Sequence, residues 1–178
     1  LGTIPLIAMF GLANDPAEVT EYYQTYQTLV NNRSVAGVDI DLAMVNQPDF
    51  MTLTKQMRAN EIRLIASQTV TTATTDDLLA TYHELAATGA DVVRVTVAGH
   101  DAQTVLALMA ATEQARQQLV VPIVATATGK FGRYNSVCSQ LTGSAVAFGH
   151  VGRVGDQSQL AVSQVKQALQ MLAPLEGA

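Results

Sequence analysis

Apolar residues along this chain gather in short unbroken runs, separated by longer stretches in which they recur every three or four positions. The runs are Pro5–Phe10, Val38–Ala43, Arg63–Ser67, Asp91–Val97, Pro122–Thr128 and Ala145–Val151. Each has the length of a strand, and the Val-rich ones suit strands covered on both faces. Between them the spacing becomes helical: Tyr22, Tyr23, Tyr26 and Leu29; Phe50–Met57; Leu78–Ala87; Val105, Leu106, Leu108 and Met109; a short segment Tyr134–Leu141; and Leu160, Val162, Val165, Leu169 and Leu172.

Helix-start chemistry falls where this pattern requires it. Asp15 is a candidate N-cap, followed by Pro16 at the first helical position and Glu18 where a capping box closes. Thr74-Thr75-Asp76-Asp77 and Asp101 are further cap signatures, and Gly89 marks a helix end. Strand and helix therefore alternate six times, with strands recurring every 23 to 33 residues, which predicts parallel strands joined by helical crossovers. An open doubly wound sheet and a barrel both satisfy that order. No Gly-x-Gly-x-x-Gly follows any strand, and Asp41, Gln68, Thr128 and His150 place polar groups at strand C-terminal ends. The reading is an α/β chain of (β/α)8 TIM-barrel type, one partial domain over residues 1–178, with about six of the eight units present.

Composition narrows the function. With 48% hydrophobic and 14% charged residues the chain is built to bury a core, and a net charge of −5 offers no general attraction to nucleic acid or an anionic membrane surface. No apolar run approaches the roughly 20 residues of a membrane helix, and no signal peptide opens the sequence, so the expectation is a cytoplasmic protein. Cys138 is the only cysteine, which removes intrachain disulfides and Cys-based metal sites.

The chemistry-bearing residues are few. Arg94 interrupts the most apolar strand, and a charge there is costly unless it faces a polar site. Asp39 and Asp41 alternate along one strand and share a face, as an acid pair for a cation or as partners of Arg94 in an internal ion pair. Of the three lysines, Lys55 and Lys166 lie on helices, whereas Lys130 sits in the loop Gly129-Lys130-Phe131-Gly132 just beyond a strand, where backbone amides can hold an anion. Among the histidines, His83 and His100 have no partner pattern, and His150 at the sixth strand is the candidate acid or base.

These residues also carry a family resemblance. Gly89-Ala90-Asp91-Val92-Val93-Arg94-Val95-Thr96-Val97 resembles the Gly-Ala-Asp-Ile-x-Lys-Ile-Ala-Val segment of type I 3-dehydroquinate dehydratases. Pro5–Phe10 is similar to that family's Pro-Leu-Leu-x-Thr-Phe strand and Val38–Leu42 to its Ile-Asp-Ile-Glu-Leu. Pro122-Ile123-Val124 with Gly129-Lys130-x-Gly132, then Thr142–Ala145 with Phe148-Gly149, and finally Gln159 in the place of the Gln of Ser-x-Pro-Gly-Gln, continue the match in order over the whole chain. The resemblance implies a (β/α)8 barrel, commonly a homodimer, that converts 3-dehydroquinate to 3-dehydroshikimate in the shikimate pathway without cofactor or metal. A lysine forms an imine with the substrate ketone and a histidine moves protons. The matched part begins at the family's third strand, and Leu1 stands where a Met would start a chain. Two β/α units are therefore expected to lie outside it.

The departures fall on the reacting groups. Arg94 occupies the lysine position, and a guanidinium with a pKa above ~12 forms no imine. The histidine position falls on Gln68, or on Ser67 with the gap placed differently. The arginine ending the first matched strand is Gly11, that after the Gly-Lys-x-Gly loop aligns with Ser136 three residues from Arg133, and the serine before the final Gln is Gly155. Asp15 stands where an acidic residue follows the first of these arginines. The implied protein is a degenerate family member without dehydratase activity. Arg94, Gln159, Arg133, Ser136, Lys130 and Asp15 are candidates to bind a small carboxylate or polyol. A barrel enzyme using His150 or Asp39 and Asp41 in another reaction, and an interaction module with a vestigial pocket, are the alternatives.

Overall fold

The computed structural model describes residues 5–13, 15–71, 74–152 and 159–173. Five parallel strands form one sheet in the order β1-β2-β3-β4-β5, which is also their order along the chain. They are β1 (Ile7–Met9), β2 (Gly37–Asp41), β3 (Arg63–Val70), β4 (Val92–Ala98) and β5 (Ile123–Thr128). The longer helices between them are α1 (Pro16–Asn31), α3 (Pro48–Ala59), α4 (Thr75–Ala87) and α5 (Ala102–Gln118), with α8 (Val162–Met171) last. The short helices are α2 (Leu42–Val45), α6 (Gly132–Val137) and α7 (Ser139–Thr142).

Local chemistry accounts for the helix starts. Asp15 caps α1 by accepting the amides of Ala17 and Glu18, each at 2.9 Å, with Pro16 next. Thr74 and Asp77 form a reciprocal capping box on α4, and Asp101 accepts the Thr104 amide at 2.7 Å on α5. Alternation along the strands then separates two faces. One carries Val38, Ile40, Leu64, Ala66, Val93, Val95, Val97, Ile123 and Ala125 into a single core with Tyr22, Tyr23 and Tyr26 of α1, Leu53 and Met57 of α3, Tyr82 and Leu85 of α4, and Leu108 of α5. The other face carries Asp39, Ile65, Ser67, Arg94, Thr96 and Val124, fixed by the pairs Asp39–Ile65, Ser67–Arg94, Arg94–Val124 and Thr96–Thr126.

The structure corrects the sequence reading in three places. Residues Leu42 and Ala43 leave the second strand, because the Asp41 side chain accepts the Ala43 amide at 3.0 Å and starts α2. The expected helix Tyr134–Leu141 is two short helices that meet at Cys138, ended by Gly143 at φ +77°. The sixth strand, Ala145–Val151, does not form. Ala145 donates its amide to Ile123 O at 2.7 Å, but the neighbouring amide of Ala125 is taken by the Ser144 hydroxyl at 3.1 Å, which stops the ladder after one rung. His150 then makes only an isolated bridge to Ala161. The barrel is therefore open, with β1 at one edge of the sheet and β5 at the other.

The caps predict an acid dependence. The Thr74 backbone N–H, with the Thr74 hydroxyl, holds the Asp77 carboxyl below its ordinary range, and the Thr104 amide and hydroxyl do the same for Asp101. A carboxyl depressed in the folded state contributes stability above its unfolded pKa, and that contribution disappears as the pH falls below about 4. Urea midpoints measured across that range are expected to fall more steeply for the native chain than for an Asp77→Asn, Asp101→Asn double variant. Parallel curves would contradict the assignment.

Candidate functional site

The C-terminal ends of the first four strands enclose a cavity of about 460 Å³, lined by Met9, Phe10, Gly11, Leu12, Asp39, Asp41, Ala43, Ser67, Gln68, Thr69 and Arg94. A larger hollow of about 840 Å³ lies between the starts of α4 and α5, but its walls (Thr74, Thr75 and residues 101–104, 106 and 107) converge no charged groups beyond the capping Asp101. The smaller cavity holds the chemistry.

Its centre is Arg94, which projects from the middle of β4 with 15% of its side chain exposed. The Nε–H donates to Asp39 Oδ2 at 2.8 Å, one Nη1–H to Thr96 Oγ1 at 3.0 Å and one Nη2–H to Met9 Sδ at 2.9 Å. Asp39, with a side chain 6% exposed, comes from β2, so the pair reaches across β3. The second carboxylate oxygen, Asp39 Oδ1, is buried without a hydrogen-bond partner.

Behind this pair stands a tyrosine cluster on α1. The Tyr26 hydroxyl donates to the Asp39 carbonyl at 2.7 Å and accepts the Phe10 amide at 3.0 Å, which ties the ends of β1 and β2 to the helix. Phe10 packs on the Tyr26 ring with centroids 4.8 Å apart. Tyr23 donates to the Met44 carbonyl at 2.5 Å. Burial pushes all three α1 phenols up, with Tyr23 reaching about 12, so they stay neutral; Tyr23 and Tyr26 donate, whereas the Tyr22 hydroxyl is buried without a partner. Tyr22 is raised by burial first and then by the proximity of Tyr26.

Few of the sequence candidates meet here. Ser67 is the register partner of Arg94 and shares its face, whereas Gln68 pairs with Val95, one residue out of that register, and still borders the cavity, its Oε1 buried without a partner. Of the two alignments of the histidine position, only Ser67 stands on the same face as Arg94. Gly11 lines the cavity, and a Cβ added there meets nothing within 4 Å. Asp15 is engaged as the cap of α1. Lys130 is exposed beyond β5 with Nζ 5.3 Å from the Phe131 ring centre, Arg133 is exposed and Ser136 half-buried on α6, and Gln159 is exposed. None of these four lines the cavity. Lys130, Arg133 and Ser136 follow the loop after β5, which docks beside β4: Phe131 donates its amide to Gly99 O, and Gly132 lies so close to Ala127 that a Cβ would sit 2.1 Å from its carbonyl oxygen.

His150 is half-buried with Nδ1 unpartnered and does not line the cavity, His83 bonds Gln118 at 2.9 Å, and His100 is exposed. Gly155 lies outside the described residues. Asp39 pairs with Arg94, and Asp41 caps α2 through its Oδ1. Among the described residues, no group of three or more His, Cys, Asp or Glu side chains converges as a metal site, and no helix is long and apolar enough to cross a membrane. The residues that sequence reasoning missed are Met9, Thr69, Thr96 and Tyr26. Thr96 was accessible to it, two positions after Arg94 and so on the same face.

A parallel α/β sheet with a polar cavity at the strand C-terminal ends defines a protein of the TIM-barrel class, here with the barrel open. The chain belongs to the type I 3-dehydroquinase family, whose model matches residues 3–176. It is similar to a 3-dehydroquinate dehydratase of Geobacillus thermodenitrificans, 30% identical over 163 residues that cover 88% of this chain and 61% of that protein. A type I 3-dehydroquinate dehydratase from Clostridium difficile with covalently modified comenic acid superposes with a TM-score of 0.85 at 21% identity, over 95% of this chain and 69% of that one. The Enterococcus faecalis enzyme does so at 0.80 and 25% identity, over 94% and 69%. The chain thus spans between about six and seven tenths of these relatives' lengths.

The ion pair makes a stability prediction. Arg94→Leu leaves the Asp39 carboxylate buried without a counter-charge and is expected to cost about 3–5 kcal/mol in urea unfolding, most of it recovered in the Arg94→Leu, Asp39→Leu double variant. A single variant that unfolds within about 1 kcal/mol of the native chain rules out a structural role for the pair.

Proposed function

We propose that this member of the type I 3-dehydroquinase family has kept the frame and lost the imine chemistry, and so does not dehydrate 3-dehydroquinate. One observation carries the reading: the cavity is lined by Arg94 and by neither lysine nor histidine. An imine needs an amine that can lose its proton, and the delocalised guanidinium, with a pKa above ~12, cannot do so. Removal of the substrate proton needs a base near neutrality. Ser67, which faces Arg94's side of the sheet, and the amide of Gln68 do not supply one. Nucleophile and base act as a unit, so their joint absence removes nearly all of the catalysed rate.

What remains is a non-covalent pocket for a small carboxylate or polyol, read by Arg94 and the surrounding hydroxyls. Incubation with 3-dehydroquinate and borohydride, followed by intact mass measurement, is expected to show no adduct, and no 3-dehydroshikimate should accumulate. A stable adduct, traced by peptide mapping, overturns the reading, with Lys130 as the first residue to check.

A further inference from the structure

The charge of the cavity wall narrows the ligand further, on the footing that the site binds without covalent chemistry. The lining carries two carboxylates, Asp39 and Asp41, against one guanidinium, so its formal charge is −1. Asp39 at 2.8 Å already neutralises Arg94, so the remaining negative charge of the wall is that of Asp41, while Asp39 Oδ1 is buried without a hydrogen-bond partner. The adjoining hollow, which shares Phe10, Gly11 and Leu12, carries Glu18 and Glu21. Among the described residues lining it, a carboxylate entering here meets no cation other than the paired Arg94.

The hydrogen-bonding groups are nevertheless numerous and mixed. Three of the five guanidinium N–H groups of Arg94 are used, on Asp39, Thr96 and Met9, which leaves two. Ser67 and Thr69 add hydroxyls, and Asp41, whose Oδ1 accepts the Ala43 amide, keeps Oδ2 as an acceptor. Hydroxyl groups both donate and accept, and adjacent hydroxyls can span a carboxylate oxygen and a neighbouring donor together. We infer that the cavity takes a neutral polyol with vicinal hydroxyls and discriminates against the same ring bearing a carboxylate.

Quinate and its methyl ester test this, because they share one ring and differ by one charge. Calorimetry on the native chain is expected to give the ester about tenfold tighter binding. Asp41→Asn, which keeps a cap oxygen for α2, should bring the two within about threefold. Gly11→Arg, whose side chain enters open space, should reverse the preference toward quinate. Quinate binding as well as the ester, a ratio that neither variant moves, or no binding of either compound each overturns the inference. Neither probe has a ketone. A borohydride adduct with 3-dehydroquinate therefore speaks only to the lost chemistry, and a failed ratio speaks only to charge selection.

Discussion

A guanidinium held 2.8 Å from a buried carboxylate, on the face of a sheet away from its helices, is the constraint around which this molecule is arranged. Two strand spacings, about 10 Å, separate β2 from β4, so only a long side chain can bridge β3. Arginine does so and still has donors for Thr96 and Met9. Neither charge is tolerable alone at such burial, and each fixes the other's strand. Tyr26 extends the constraint outward, since its hydroxyl grips the backbone of Asp39 and of Phe10 together. Helix α1, two strands and the cavity floor are thereby tied to one ion pair.

The same pair gives residue 94 a structural duty that is separate from any chemistry at the site. A residue at that place in β4 has to satisfy Asp39, whichever cation it is. A lysine can do so and also release its proton for nucleophilic work, because an ammonium is tunable by its surroundings. An arginine meets the structural demand fully and the chemical one not at all.

Most of the architecture could be read from the sequence because it rests on local rules. Alternation placed Asp39 and Asp41 together on one face of their strand, and caps at Asp15 and Asp101 marked the starts of α1 and α5, while α4 begins at Thr75, earlier than the expected Leu78. The pairing of Asp39 with Arg94 was readable too, as one of two roles for that acid. The failures are non-local. Ala145–Val151 has a strand's composition, yet a side-chain hydroxyl from Ser144 takes the amide its ladder needed. Lys130, Arg133 and Ser136 align with a binding loop, but the close approach of Gly132 to Ala127 directs that loop away from the cavity. Ser67 and Gln68, adjacent in sequence, differ by register, since a shift of one residue changes the face.

The Ser144 hydroxyl also makes the two borders of the sheet unlike. At β5 it answers a backbone donor that a sixth strand would have claimed, and it turns back to donate to the Val146 carbonyl at 3.0 Å. At β1 no described residue plays that part, and Ile7, Met9 and Phe10 remain exposed there. One border is met by a side-chain hydroxyl, while the other carries an exposed apolar flank along its first strand. An exposed edge strand of that kind is a ready template for further pairing.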